Sequence, residues 1–482
     1  MLSVFRLIVL ALGFVACPAM AAPFEKATIN NIRAFQKQFA SGKDNPGGMV
    51  IGVIDETGHQ VFSCRSRQAE AMNESSVFEL GSVTKVFTVL LALELEREGI
   101  WDMSDPVRDH VPKGIVVPSY NVHEIALKNL ARQDSGLPWH IEPPVRTNSG
   151  ALDLHAMRRT AESYNRAKLF STLETFTLPW EPGRKFQYSN VGMGLLGCLA
   201  EESTSKTFAE LIEAHITAPL GMSSTQAYLN EDLQKRLVGG HFSSGEPGLN
   251  LNFKAMAGAG QMHSTVEDLL RFLAVNIAPK SSGLDLSLLK MQEIQHRDSP
   301  EFGLTAMPWF SRRVYQPIGS QLMGHGGGGF GYLAFVGFDT IQKRGVVILS
   351  NQMTINPAGV GWSILQGFPL TPNNIGLLVK RYTGVGFSLK MEPDGVAVNR
   401  VFSGSPAEKV GLPRNSRITK IGGKFTEGKN LYETLELLRG EDGDIVELTV
   451  FLPGSKLEKK FRITCAPFLT ATGLDAVPQL KN

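Results

Sequence analysis

Cysteine is scarce in this chain. Four occur in 482 residues, at positions 17, 64, 198 and 465, and none falls into a zinc-ligand spacing. Net charge is also nearly absent, at +2 from 48 basic and 46 acidic residues, too little for a nucleic-acid surface or a polybasic membrane foot. No phosphate-loop motif and no Gly-x-Ser-x-Gly nucleophile elbow occurs. These absences argue against metal, cofactor and nucleic-acid chemistry and against a Ser-His-Asp hydrolase of the elbow type. Long apolar runs are missing after residue 22, so the sequence predicts no membrane span beyond that point.

What is present begins with a short apolar run. Arg6 precedes Leu7–Ala16, which is too short to cross a bilayer, and Ala19-Met20-Ala21 has small residues where a signal peptidase reads. The expectation is a signal peptide over 1–21 and a secreted, periplasmic protein. The alternative is a lipid anchor at Cys17, which Phe14 and Pro18 fit poorly. Cys64, Cys198 and Cys465 remain; they are far apart and odd in number, so no disulfide framework is expected.

The remaining chain has the length for two to four domains and 43% apolar residues, enough for a sizeable core. The runs 49–55 and 59–64 read as a β-hairpin, and the segment from Lys85 to near Gly99 as an apolar helix. Two more strands, 332–339 and 345–351, lie at the far end of a mixed region. Strands at both ends with helices between predict an α/β (α+β) core that early and late segments close together. The stretch 367–372 reads as a linker, and beyond it short strands with one helix near 430–439 predict a compact, mostly β module. The expected division is 22–368, 378–466 and a tail at 467–482 without strong pattern.

Chemistry concentrates in three places. Ser82-Val83-Thr84-Lys85 puts an amine three residues from a hydroxyl, on one helix face. A serine needs a neighbour to take its proton, and a lysine can do so only where burial or other cations keep it neutral. The motif alone is weak: Ser203–Lys206 and Ser287–Lys290 match it too, and a serine at a helix start is commonly a cap. The second place is Tyr188-Ser189-Asn190, preceded by Pro182-Gly183. The third is Gly324-His325-Gly326-Gly327-Gly328-Gly329, which runs into a strand.

In this order, Ser-x-x-Lys, Tyr-x-Asn and His-x-Gly resemble the active-site elements of class C β-lactamases, DD-peptidases and related esterases. The flanking segments 127–139, 182–197, 219–225 and 257–272 resemble landmarks of the same family, and the likeness spans about 45–355. The resemblance implies the β-lactamase/DD-peptidase-like fold: an antiparallel sheet flanked by helices, with a helical subdomain. It implies an acyl-enzyme on Ser82, proton traffic shared by Lys85 and Tyr188, Asn190 holding the lysine and a substrate amide, and an oxyanion hole from the N–H groups of Ser82 and Gly328. Which of Lys85 and Tyr188 is the acylation base stays open; Tyr188, near two cations, could be a phenolate and is the better candidate for activating the deacylating water. Gly326 and Gly327 would let a substrate backbone approach. His325 stands where many relatives carry a lysine that receives a substrate carboxylate. A partly charged imidazole there implies weaker, pH-dependent carboxylate selection. Arg132-Gln133-Asp134-Ser135-Gly136-Leu137-Pro138 departs from the family pattern, and Asp134 and Ser135 are expected only to shape a turn.

The C-terminal module resembles a PDZ domain of the bacterial protease type. Val385-Gly386-Phe387 would be its carboxylate-binding loop, and 403–412 and 439–443 its other landmarks. That implies capture of a peptide C-terminus as an added strand. The resemblances together imply a D-Ala-D-Ala carboxypeptidase/endopeptidase-like, penicillin-binding enzyme of cell-wall peptides, without cofactor or metal. The alternatives are a β-lactamase or esterase, or a PDZ scaffold with a vestigial hydrolase unit.

Overall fold

The computed structural model describes residues 23–472, apart from 42–46, 66–68, 141–153, 243–244, 251, 280–281, 300–302, 315–319, 354, 371–377, 393, 402–404, 430, 439, 441–442 and 456. The expected signal peptide, the last two residues of the 367–372 linker, and parts of the 403–412 and 439–443 landmarks lie outside the described residues.

Helix α1 (Lys26–Ser41) precedes the hairpin β1 (Gly48–Asp55) and β2 (Gly58–Arg65). Helix α2 (Thr84–Arg97) follows, and further on come α3 (Asn190–Thr204) and α4 (Val266–Ile277). Six strands complete the main sheet: β3 (His296–Ser299), β4 (Gly303–Thr305), β5 (Phe310–Val314), β6 (Ser320–Gly328), β7 (Leu333–Asp339) and β8 (Arg344–Ser350). Helix α5 (Pro357–Leu365) ends this part.

All neighbours in the sheet are antiparallel, in the order β2-β1-β8-β7-β6-β5-β4-β3. The early hairpin therefore docks on the late strands, with Ile51 opposite Ile348. The sequence pattern explains the placing. β8 (RGVVILS) is buried at every position, as a strand covered on both faces must be, whereas the first residues of edge strand β2 are exposed. Successive side chains alternate between faces. Met49, Ile51 and Val53 meet α1 and α5 through Ile32, Phe35, Val360 and Trp362. Val50, Val347 and Leu349 belong to the larger core with α2, α3 and α4. From Thr84 to Leu95 every residue of α2 is buried, which makes it the central helix of that layer and carries Lys85 into the interior.

The C-terminal part has its own core of Val385, Phe387, Leu389, Val398, Ile418, Leu448 and Ile463, among others. Strands β9 (Leu378–Gly384) and β15 (Ala466–Thr472) pair with each other. Strands β10 (Phe387–Glu392), β11 (Gly395–Val401), β12 (Arg417–Ile421), β13 (Ile445–Phe451) and β14 (Glu458–Thr464) form a second sheet in that order, with a short strand Lys424–Phe425 on β12. Helix α6 (Leu431–Leu437) crosses near β10. Two expectations need correction. The start of the supposed tail at 467 is strand β15, and a strand precedes the one expected at 384. Each is completed by a partner some 90 positions away, Leu378 facing Thr472, so neither had a local signal.

Candidate active site

Ser82 sits in a tight turn, Gly81–Val83, that leads directly into α2. Two hydrogen bonds fix the turn: Leu80 N donates to Met262 O at 2.9 Å, and Met262 N to Thr84 Oγ1 at 3.0 Å. On its other side runs β6. Gly81 has φ of +50°, and a Cβ there would lie 2.4 Å from Gly328 O; one on Gly327 would lie 1.9 Å from Leu80 O. The glycines are therefore demanded by the close approach of the strand to the serine turn.

One helical step along α2, Lys85 Nζ donates to Ser82 Oγ at 2.9 Å and to Ala259 O at 2.7 Å. Lys85 is fully buried, and burial pushes its ammonium well below the usual lysine range. Tyr188 is hydrogen-bonded to the Ser82 hydroxyl, and its ring lies 4.9 Å from Lys85 Nζ. Burial raises the Tyr188 phenol above its ordinary value despite that bond. That direction favours the phenol over the phenolate, because burial penalises the charged form.

The segment 133–139 clamps the tyrosine loop. Gln187 N donates to Gln133 O at 2.7 Å, Ser189 N to Gln133 Oε1 at 2.6 Å, and Asn190 N to Trp139 O at 3.0 Å. Ser189 caps α3, taking the Gly192 N–H at 2.8 Å. Asn190 is the first residue of that helix. Its amide pairs with His140 Nδ1 at 3.4 Å, while the lysine bonds to Ser82 and Ala259. The expectation that Asn190 holds Lys85 is thus corrected: the Ala259 carbonyl fills that role.

His325, on β6, is 1% exposed and packs its ring 4.9 Å from Phe310 and 6.4 Å from Tyr188. Nδ1 donates to Gly326 O at 2.6 Å. Burial first, then the Lys85 charge, lower its pKa to about 3. The partial charge expected near neutrality is therefore replaced by a neutral ring. Ser82, Tyr188, His325 and Gly326–Gly328 line one pocket of about 270 Å³, closed by Phe310, Leu333 and the start of α5.

The remaining motif matches have structural duties. Ser203 Oγ accepts from Trp101 Nε1, and Ser287 Oγ donates to buried Glu94. Tyr228-Leu229-Asn230 also has the Tyr-x-Asn spacing, and there Asn230 caps a short helix. Sequence reasoning missed the Ala259 carbonyl, His140 and Phe310; only the first lay in a segment noted as a family landmark. In the C-terminal part, Val385 and Phe387 are buried, and Val385 O accepts from Ala407 N at 2.9 Å. Gly386, at φ +86°, is pressed against Ser405, whose Oγ donates to Gly386 O at 2.9 Å. Among the described residues no His/Cys/Asp/Glu cluster could hold a metal ion. Cys64, Cys198 and Cys465 are buried.

A family model described as beta-lactamase matches residues 32–366. The D-alanyl-D-alanine-carboxypeptidase/endopeptidase AmpH of Escherichia coli (strain K12) is 31% identical over 230 residues, covering 47% of this chain and 56% of that protein. A beta-lactamase of Yersinia enterocolitica is 25% identical over 239 residues, 48% of this chain and 56% of that one. The chain thus spans little more than half the length of these curated relatives. Among solved structures, a beta-lactamase/D-alanine carboxypeptidase from Yersinia pestis complexed with citrate overlays with a TM-score of 0.57 at 22% identity, over 70% of this chain and 98% of that one. A class C beta lactamase from Rhodobacter sphaeroides gives 0.56 at 20% identity, over 71% and 99%. These overlays establish a shared fold.

Proposed function

The chain belongs to the beta-lactamase family, and from that premise we propose that it is an exported serine hydrolase acting through an acyl-enzyme on Ser82. The observation that carries the reading is the buried Lys85 amine 2.9 Å from Ser82 Oγ. A base must be within hydrogen-bond reach and unprotonated near neutrality, and burial supplies the second condition. Lys85 takes the Ser82 proton as Oγ attacks the substrate carbonyl. Tyr188, a phenol beside the same hydroxyl, donates to the departing group and recovers its proton from Lys85. The N–H groups of Ser82 and Gly328 meet the oxyanion; one such donor is worth about 2.7–4 kcal/mol of barrier.

The substrate class is a D-amino-acid peptide of the cell-wall type, cleaved by a carboxypeptidase/endopeptidase reaction. Support comes from the AmpH relative, which carries that activity in its name, at 31% identity. A β-lactamase activity is the second reading, favoured by relatives named beta-lactamase at 24–26% identity. The start of the chain supports export to the periplasm, and no helix among the described residues is long and apolar enough to cross a membrane. The C-terminal β part is read as a PDZ-like domain that takes a peptide C-terminus at Val385–Phe387, supported by its strands, its helix α6 and its separate core.

The test is intact mass after incubation with a fluorescent penicillin, wild type beside Ser82→Ala. A lasting adduct lost in the variant supports a penicillin-binding peptidase. Consumption of the penicillin without adduct supports a β-lactamase. Neither adduct nor turnover, followed by failure of a phosphonate ester probe, rejects the acyl-serine reading in favour of the scaffold.

A further inference from the structure

The hydrogen bond from His325 Nδ1 to the Gly326 carbonyl does more than hold the ring. A carbonyl oxygen only accepts, so the proton sits on Nδ1 and Nε2 carries a lone pair. Nε2 is buried and has no hydrogen-bond partner among the described residues. The nearby amine is engaged elsewhere: Lys85 Nζ bonds to Ser82 Oγ and Ala259 O. A buried acceptor without a donor is costly, and such groups in native proteins commonly await a ligand or take part in a reaction.

The pocket around it is consistent in sign. His325 lines it together with Ser82 and Tyr188, and the rest of the wall is glycine backbone and apolar side chains such as Phe310 and Leu333. None of the lining residues is a lysine or arginine. Asn356, at the start of α5, turns its carbonyl oxygen to the Ala358 N–H at 3.0 Å. A carboxylate entering here would meet the lone pair of an uncharged imidazole, with no lysine or arginine among the described lining residues to offset its desolvation.

We propose that His325 selects, at the acyl-serine site read above, substrates that present a hydrogen-bond donor beside the scissile group, an amide N–H or a hydroxyl, and disfavours those with a free carboxylate there. The substrate class narrows accordingly to internal or C-terminally blocked peptides, whose next residue offers an N–H where a carboxypeptidase substrate offers an anion. The neutral state of the ring, held by burial, keeps Nε2 an acceptor at neutral pH. A lysine at this position would have the opposite preference.

The test uses the full chain carrying Ser82→Ala, so that neither ligand turns over. Calorimetry compares an N-acylated D-alanyl-D-alanine with its C-terminal carboxamide at pH 7. The carboxamide is expected to bind about tenfold more tightly, the range of one satisfied buried acceptor. His325→Lys should reverse the order, and His325→Phe should bring the ratio to about one. Equal binding, tighter binding of the free acid, or no binding of either overturns the proposal. Nitrogen-15 NMR of the histidine rings in the unsubstituted chain gives a second reading that needs no variant: His325 is expected in the Nδ1–H form, and an Nε2–H or charged ring at pH 7 overturns the proposal. Labelling of Ser82 by penicillin or a phosphonate is scored separately. Labelling without discrimination rejects the donor subsite alone; discrimination without labelling rejects the acyl-serine reading alone.

Discussion

Asp134 accepts a hydrogen bond from His296 Nε2 at 2.9 Å, tying the loop that clamps Tyr188 to the outermost strand of the main sheet. The same carboxyl takes the Asn129 amide at 2.8 Å, and its carbonyl takes the Gly183 N–H at 2.8 Å. His296 packs edge-on against Phe186, two residues before the tyrosine, and Phe186 against Phe310, which stacks on Tyr188. A residue that the sequence marks only as a departure from the family pattern is thus the clasp between sheet and tyrosine loop.

Asp134→Ala leaves the buried donors of His296 and Asn129 without an acceptor. At about 1–3 kcal/mol for each orphaned group, a loss of roughly 3 kcal/mol is expected. Urea unfolding of the full chain measures it. The turnover number should fall more than KM rises, because the clasp positions Tyr188 and lies outside the pocket. An unchanged unfolding midpoint would show that the clasp does not hold the two parts together.

Gly327→Ala separates β6 from the serine turn, since its Cβ would sit 1.9 Å from Leu80 O, against backbone that cannot rotate away. The expected result is loss of penicillin labelling at Ser82 in a protein that still folds. Gly239→Ala is the control, because it lies outside the pocket lining and its Cβ would meet nothing nearer than 3.7 Å. Circular dichroism confirms folding, and equal labelling of the two variants would refute the steric argument.

The division between what sequence shows and hides follows the range of the interaction. The main hairpins were readable because β1 and β8 are near-continuous apolar runs, and Ser82, Lys85, Tyr188 and His325 because their spacings are short and ordered. The protonation states were not readable, since they depend on how deeply α2 is buried from Thr84 to Leu95. Nor was the role of Ala259, which acts through its backbone carbonyl, an atom every residue has. Strand β15 was hidden because its partner β9 lies at the other end of the C-terminal part.

Lys85→Met should remove activity and raise stability together. The folded pKa of Lys85 lies well below its unfolded value, so between the two the unfolded chain binds a proton that the folded chain lacks. At pH 7 this favours unfolding, and the cost shrinks as pH rises toward the unfolded lysine pKa. Methionine fills similar space without a charge to desolvate. Acylation should fall by about 10²–10⁴-fold, while the thermal midpoint at pH 7 rises. A lower midpoint would mean that the bonds to Ser82 and Ala259 outweigh the desolvation they offset.

The acid limb of stability should carry the signature of two buried histidines. Burial lowers His325 to about 3 and His263 to about 4, against an ordinary value near 6.5. Both are neutral in the folded chain, and below pH 6.5 the unfolded chain takes up protons that the folded chain cannot. Stability is therefore full above about pH 6.5 and falls as the pH drops, until about 4 for His263 and about 3 for His325. Each group contributes a slope of up to about 1.4 kcal/mol per pH unit within its window. Urea midpoints at pH 7, 6, 5 and 4 for the wild type and His325→Phe measure the difference. The variant should lose one group's share of the slope, with the gap between the two proteins changing steadily from pH 6 to 4. An identical slope would mean that the folded protein lets His325 take its proton, and the ring could then no longer serve as a fixed acceptor in the pocket.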